Sequence, residues 1–279
     1  MEAELKFSLL NGDISEQARD ALQAALNGTR AFPRELCCRL EGGRSADFDA
    51  VYFDDIESSL SKREISLRLR REGRDLVLTL KWRPAAAEGL IGASASDALS
   101  LRGEYNRTLA VPLPFRRLSA PDAAASGAAV ILDDPSAAES VLRRELAEVI
   151  RGRAVPAFIT AALRLNRDGL RPIGRSRFRR QLRTLSAGDA LLELALDEGE
   201  LFGPPPSARR EPLRELELEL KDGNLDSLIQ IGEAFRRHYG LRAEPRSKFS
   251  RILALMDGGS ERPGTADGRK EGGHAHVSG

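Results

Sequence analysis

From Glu215 to Lys221 the chain alternates charged and apolar residues, with Glu215, Glu217, Glu219 and Lys221 in one phase and Leu216, Leu218 and Leu220 in the other. A period of two is that of a β-strand whose faces meet different surroundings. Glutamate is a poor strand former beside Val or Thr, so propensity alone does not choose this conformation. A strand rise of about 3.3 Å sets successive carboxylates roughly 7 Å apart on one face. The same pattern opens the chain, with Glu2, Glu4 and Lys6 against Ala3, Leu5 and Phe7. Further strand-like runs cover 35–40, 49–54, 101–109, 158–165, 174–185 and 191–199. The runs 65–70 and 76–82, joined by a turn-like 71–74, predict a hairpin. Helices are predicted over 17–25 after Ser15, from Pro135 to about Arg151 after Asp133 and Asp134, and over 226–239 closed by Gly240.

Segments rich in Ala, Gly and Ser at 84–100 and 118–129 read as loops, the second separating two halves that look like crude internal repeats. Residues 1–257 read as one domain. The Gly-rich stretch 258–279, which carries His274 and His276, reads as a disordered tail.

Most predicted strands are apolar on one face and charged, rather than neutral and polar, on the other. The signs are sorted by strand: carboxylates dominate towards the termini, arginines (Arg68, Arg70, Arg102) in the middle. In the run from Arg175 to Arg180, alternation predicts Arg175, Arg177 and Arg179 on one inward face. A sheet with one solvated face is one explanation, and it predicts mixed signs on any strand. The other is an α+β fold in which about eight antiparallel strands close into a barrel, with charges inward around a tunnel and helices on the apolar outside. Unpaired charges cannot sit in a dry core, so such a lumen must hold water, counter-ions and a highly charged ligand. Lys6, Arg68, Arg70, Lys81, Arg102, Lys248 and Arg251 suit phosphate oxygens. Glu2, Glu4, Glu217 and Glu219 suit a hard divalent ion, Mg²⁺ or Mn²⁺. Both sets in one cavity fit a metal-chelated polyphosphate better than a nucleic acid, which would require an exterior basic surface.

Composition narrows the choice further. In 279 residues, 43 Lys and Arg face 42 Asp and Glu for a net charge of +1, so clustering carries the information and net charge does not. No run of about 18 apolar residues predicts a membrane span, and no charged and then apolar leader pattern opens the chain, which reads as cytosolic. Cys37 and Cys38 are adjacent and match neither a disulfide staple nor a metal-site spacing. No Ser-His-Asp order, phosphate-binding Gly-rich loop or catalytic cysteine can be assembled.

Taken in order, eight motifs resemble those of CYTH proteins, the triphosphate tunnel metalloenzymes. They are Glu2/Glu4/Lys6, Tyr52 to Asp55, Arg68/Arg70, Lys81 after Thr79, Arg102/Glu104/Tyr105, Asp197/Gly199, Glu215 to Gly223, and Ser247/Lys248/Arg251. The resemblance spans about residues 2–255 and is nearest to the bacterial inorganic triphosphatase branch. It implies metal-dependent hydrolysis of inorganic triphosphate to pyrophosphate and phosphate, with a small-molecule triphosphate or polyphosphate as substrate and neither nucleic acid nor membrane as partner. It implies that Lys6, Arg68, Arg70, Lys81, Arg102, the cluster Arg177, Arg179 and Arg180, Lys248 and Arg251 hold the substrate. It assigns Glu2, Glu4, Glu104, Asp197, Glu215, Glu217 and Glu219 to Mg²⁺ or Mn²⁺. It gives catalysis to Glu2, Glu4 and Lys6, with a water held by Glu2 or Glu4 attacking the terminal phosphorus.

Two positions depart from the family pattern. Asp55 stands where the family has Thr, and the family match favours Arg177 and Arg180 inward, which against strict alternation needs a bulge. The same resemblance leaves open a thiamine triphosphatase, a class IV-type adenylate cyclase or a non-enzymatic polyphosphate-binding module. The oligomeric state is open.

Overall fold

The computed structural model describes residues 1–30, 32, 33, 36, 38–84, 97–109, 127–166, 169–204 and 209–256. The expected tail 258–279 and most of the two expected loops lie outside the described residues. The strands are β1 (Glu2–Ser8), β2 (Arg39–Asp54), β3 (Ile65–Glu72), β4 (Asp75–Trp82), β5 (Leu99–Leu109), β6 (Arg171–Ala187), β7 (Ala190–Phe202), β8 (Arg210–Asp222) and the short β9 (Arg242–Ala243). The helices are α1 (Glu16–Leu26), α2 (Gly127–Asp133), α3 (Pro135–Gly152), α4 (Ala157–Asn166), α5 (Leu225–Tyr239) and α6 (Lys248–Met256).

All strands belong to one antiparallel sheet ordered β5-β4-β3-β2-β6-β7-β8-β1, which pairing of β1 with β5 closes into an eight-stranded barrel. The ninth strand, β9, pairs with β1 at Phe7 and Ser8 and stays outside the barrel. Around this circle β3 and β8 are four strands apart in either direction, so they face each other across the lumen. Closure leaves the eight barrel strands no free edge.

Alternation decides what each strand buries. Leu5 of β1 lies opposite Leu218 of β8, and Phe7 opposite Leu216. These outward residues are buried with Leu192 and Leu194 under α1 and α5, through Leu22, Leu26, Leu228 and Phe235. A second outer core joins Leu67, Leu69, Leu78 and Leu80 to α2, α3 and α4. Each fully buried leucine contributes about 1.5–3 kcal/mol. Tight turns at Gly73 and Gly188, both at φ 60°, close the β3–β4 and β6–β7 hairpins. Ser15, Asp134 and Asn224 accept backbone N–H groups at the starts of α1, α3 and α5, and Gly240 ends α5 in the left-handed conformation.

Two expectations change. The strand-like run 158–165 is helix α4, because Ile159, Ala162 and Leu163 recur at helical spacing and bury against α3 and the barrel. Local β-propensity of Phe, Ile and Thr yields here to tertiary packing. The run 49–54 is the end of one long strand that begins at Arg39 and pairs along β6, while residues 35 and 37 of the run 35–40 lie outside the described residues. Residues after Ser247 form α6, whose first turn enters the barrel.

Gly199 marks a place where two strands approach too closely for a side chain: a Cβ there would lie 2.1 Å from the Arg177 carbonyl oxygen and 2.5 Å from the Phe178 Cα. Gly199→Ala is expected to destabilise the barrel by about 3 kcal/mol or more. Urea denaturation measures this, and a midpoint equal to wild type would contradict the packing described.

Candidate active site: a charged tunnel

The barrel encloses a cavity of about 580 Å³. β1 contributes Glu2, Glu4 and Lys6, and β8 contributes Glu217, Glu219 and Lys221. Facing them, β3 contributes Arg68 and Arg70, β4 Lys81, β5 Glu104 and Asn106, and β6 Phe178 and Arg180. The strands thus bring most of the expected site residues into one lumen.

The anionic wall is a row. Glu4, Glu219 and Glu193 stand directly opposite one another on β1, β8 and β7. Like charges so paired repel. Lys6 approaches Glu4 at 3.8 Å, Lys221 lies 2.7 Å from Glu219 and 3.7 Å from Glu193, and the exposed Arg44 is 3.6 Å from Glu193. Beside the row, Glu2 accepts from Lys81 Nζ at 2.6 and 2.8 Å. Burial pushes the Glu2 carboxyl up to about 7; Lys81 opposes this, while Glu4 and Glu104 reinforce it. Each carboxylate of this wall thus has a lysine or arginine within 4 Å.

The cationic wall is less completely matched. Burial, and then the neighbouring Arg68, push the Arg70 guanidinium down to about 10 although Glu72 lies 2.7 Å away. The Nε atoms of Arg68 and Arg70 are buried without a hydrogen-bond partner. Buried donors without acceptors are costly, and they identify where an anion would be welcome.

At the end covered by α6 the charges are compensated within the protein. Asp197, Glu215 and Glu217 bring a carboxylate oxygen each within 4.8 Å of one another, a geometry able to hold a cation. Lys248 Nζ stands among them, 2.9 Å from Asp197, 2.8 Å from Glu217 and bonded to Glu215. Arg180 donates to both oxygens of Asp197 at 2.6 Å and to Glu217 at 2.5 Å, with its guanidinium over the stacked rings of Phe48 and Phe178. Arg251 donates to Glu215, Glu211 and the Pro212 carbonyl. Despite burial, Lys248 and Arg180 hold the Glu217 carboxyl well below the usual carboxylate range. Burial pushes Glu215 up to about 7, Lys248 opposing and the neighbouring Glu217 and Asp197 adding to the rise.

The expected residues thus separate into groups. Lys6, Arg68, Arg70, Lys81, Arg180, Lys248, Glu2, Glu4, Glu104, Glu217 and Glu219 line the lumen. Asp197, Glu215 and Arg251 lie buried behind it in the Lys248 network. Arg102 stands opposite Glu2 in the β1–β5 register but does not line the cavity. Arg177 and Arg179 point outward: Arg177 pairs with Asp49 and Asp133, and Arg179 donates to Ser45. On β6 the inward residues are Phe178, Arg180 and Leu182, with no bulge between Arg175 and Leu182, so neither strict Arg alternation nor an inward Arg177 describes the strand. Sequence reasoning left out Glu193, Arg44, Glu72 and Tyr52. Glu193 was accessible from its phase with Asp197; the others sit among residues whose pattern alone does not reveal a face.

Asp197, Glu215 and Glu217 bring together the carboxylate oxygens that a hard divalent cation requires, with Lys248 among them; Glu2, Glu4 and Glu219 offer the same donor type, each with a lysine within 4 Å. Among the described residues no helix is long and apolar enough to cross a membrane.

The sequence matches the CYTH domain over residues 38–253, and the chain belongs to that family. β1, with Glu2, Glu4 and Lys6, lies before the matched span yet closes the barrel. Among solved structures, the fold is similar to a protein from Hippeastrum named for adenylyl cyclase and described as having a dominant triphosphatase activity. That pair shows a TM-score of 0.53 and 18% identity over 94% of this chain and 98% of the other. A protein named for adenylate cyclase from Bacillus halodurans aligns at TM-score 0.44 and 13% identity, over 91% and 97% of the two chains.

Removing the ammonium from the carboxylate trio tests the network directly. Lys248→Met is expected to cost about 3–5 kcal/mol of stability at pH 7, because it leaves buried carboxylates under-compensated. Chemical denaturation in EDTA reads this, and a loss below about 1 kcal/mol would mean that Arg180 and Arg251 alone balance the trio.

Proposed function

We propose that this protein hydrolyses inorganic triphosphate to pyrophosphate and phosphate in the cytosol, with Mg²⁺ or Mn²⁺. The observation that carries this reading is the apposition of Arg68 and Arg70 on β3 to Glu217 and Glu219 on β8 across one 580 Å³ lumen. A cavity that presents guanidinium groups on one wall and carboxylates on the other matches a polyphosphate carrying its own cation. A binder of bare anions would have no use for the Glu2/Glu4/Glu219 row.

Arg68, Arg70, Lys81, Lys6, Arg180 and Lys248 would hold and orient the phosphate chain along the tunnel. Arg180 and Lys248 are already engaged by carboxylates, so they offer the substrate fewer donors than Arg68 and Arg70 do. Glu2, Glu4 and Glu219 would hold the divalent ion, which when bound neutralises phosphate charge and polarises the phosphorus–oxygen bonds. Glu2 or Glu4 would orient the attacking water. Positioning and electrostatic stabilisation suffice for phosphoryl transfer, so no covalent nucleophile is required. The dominant triphosphatase activity of the Hippeastrum protein is of the same reaction class.

A panel of tripolyphosphate, ATP and thiamine triphosphate, each with Mg²⁺, Mn²⁺ or EDTA, tests the reading. Tripolyphosphate should be turned over fastest and EDTA should abolish turnover; faster hydrolysis of either organic triphosphate, or cyclic AMP formed from ATP, would contradict it. Glu219→Gln should lower kcat on the order of 100-fold or more with the melting temperature retained. Undiminished turnover in that variant would remove Glu219 from the metal set.

A further inference from the structure

The inward face of β3 changes sign along its length. Arg68, Arg70 and Glu72 follow one another in a single phase, about 7 Å apart, and all three line the lumen. Arg68 marks the α6 end, because it lies beside Tyr52, whose ring stacks on Phe249 of α6 at 5.9 Å. Glu72 therefore stands at the opposite end, the mouth, where the β3–β4 hairpin turns at Gly73. Asp75 faces Glu72 directly across that hairpin and lines the lumen with it. Like charges placed so repel. Arg70 lies 2.7 Å from Glu72, but among the described residues Asp75 pairs with no cation. The other cations lining the mouth, Arg44 and Lys221, are held by Glu193 at 3.6 Å and by Glu219 at 2.7 Å. The wall that grips an anion thus ends in carboxylates.

We propose that Glu72 and Asp75 are specificity-determining residues that admit a triphosphate and turn away a long-chain polyphosphate. A phosphate chain held by Arg68 and Arg70 runs along β3 towards the mouth. Its other end is covered by Ser247, Lys248 and Phe249 of α6, so a longer chain has to leave past Glu72 and Asp75. Each further phosphoryl group then meets carboxylates that have no proton to donate. The side chain of Glu72 is 37% exposed and Asp75 is exposed, so water weakens the repulsion without removing it. Glu72 acts a second time through Arg70. Phosphate that takes the guanidinium leaves Glu72 without its counter-ion, which sharpens the barrier at the moment the site is filled. The discrimination is by charge along the chain, not by the width of the tunnel.

This assignment rests on the triphosphatase reading and adds the length of chain accepted; the experiment separates the two. Phosphate release at matched free Mg²⁺ gives kcat/KM for tripolyphosphate and for a long-chain polyphosphate, in wild type and in the double variant Glu72→Gln/Asp75→Asn. Both replacements keep the side-chain shape and remove the charge. Wild type should prefer tripolyphosphate, and in the double variant that preference should shrink on the order of 10-fold. Asp75→Asn alone, at an exposed turn position, should move the preference the same way by about 3-fold. Its melting temperature should stay within about 2 °C of wild type. An unchanged preference in either variant overturns the assignment. An equal rise of kcat/KM for both substrates also overturns it, since that would limit Glu72 to competing for Arg70. If wild-type protein turns over no tripolyphosphate, the parent reading fails; if it does and shows no preference against the long chain, this assignment alone fails.

Discussion

Everything in this fold depends on holding acidic and basic side chains, sorted by strand, around one closed lumen. Closing eight strands places β3 opposite β8, so Arg68 and Arg70 face Glu217 and Glu219 across the lumen, while Lys81 pairs with Glu2 and Arg180 with Glu217 at hydrogen-bond distance. Burial first, and like charges after it, work against each wall: Glu2 is pushed up to about 7 and Arg70 down to about 10. The apolar outer faces, covered by α1 and α5 on one side and α2 to α4 on the other, supply the stability that makes such a lumen tolerable. Strain of this kind, offset by packing elsewhere, is what a binding site for a highly charged molecule requires.

The α6 end of the tunnel solves a different problem with the same residue types. There Lys248, Arg180 and Arg251 satisfy Asp197, Glu215 and Glu217 at hydrogen-bond distance, and no net demand for a ligand remains. The contrast divides the carboxylates by role: one set ties α6 into the barrel, while the other stays open towards the substrate. A lysine ammonium among three carboxylate oxygens is the internal counterpart of a bound cation. Glu4, Glu219 and Glu193 stand in a row on β1, β8 and β7 instead, each with a lysine or arginine within 4 Å.

The sequence made the barrel legible wherever one face was uniformly apolar. β1, β3 and β8 could be read directly, because Leu5, Leu67, Leu69, Leu216 and Leu218 fix the outside and leave the charges no other place. β6 could not be read so, because it is basic on both faces: Arg175 and Arg177 satisfy Asp49 and Asp133 outside, whereas Arg180 turns inward between Phe178 and Leu182. Side-chain type does not reveal the face when the acidic partners come from distant segments, Asp49 from β2 and Asp133 from α2. α4 was obscured for a related reason, since Phe158, Ile159 and Thr160 carry strand propensity and only the packing of Ile159, Ala162 and Leu163 shows the helical period. Tyr52 was quoted in a motif but given no role, because an aromatic residue on an alternating strand reads as core until its hydroxyl is seen beside Arg68.

The most direct test of the account is a crystal structure with Mn²⁺ and a non-hydrolysable imidotriphosphate, using anomalous scattering to locate the metal. The account predicts the phosphate chain lying inside the barrel against Arg68 and Arg70, and a manganese peak bonded to carboxylates of the Glu2/Glu4/Glu219 group, with Lys248 still held by its trio. Ligand and metal found only on the outer surface, with the lumen holding water alone, would contradict it.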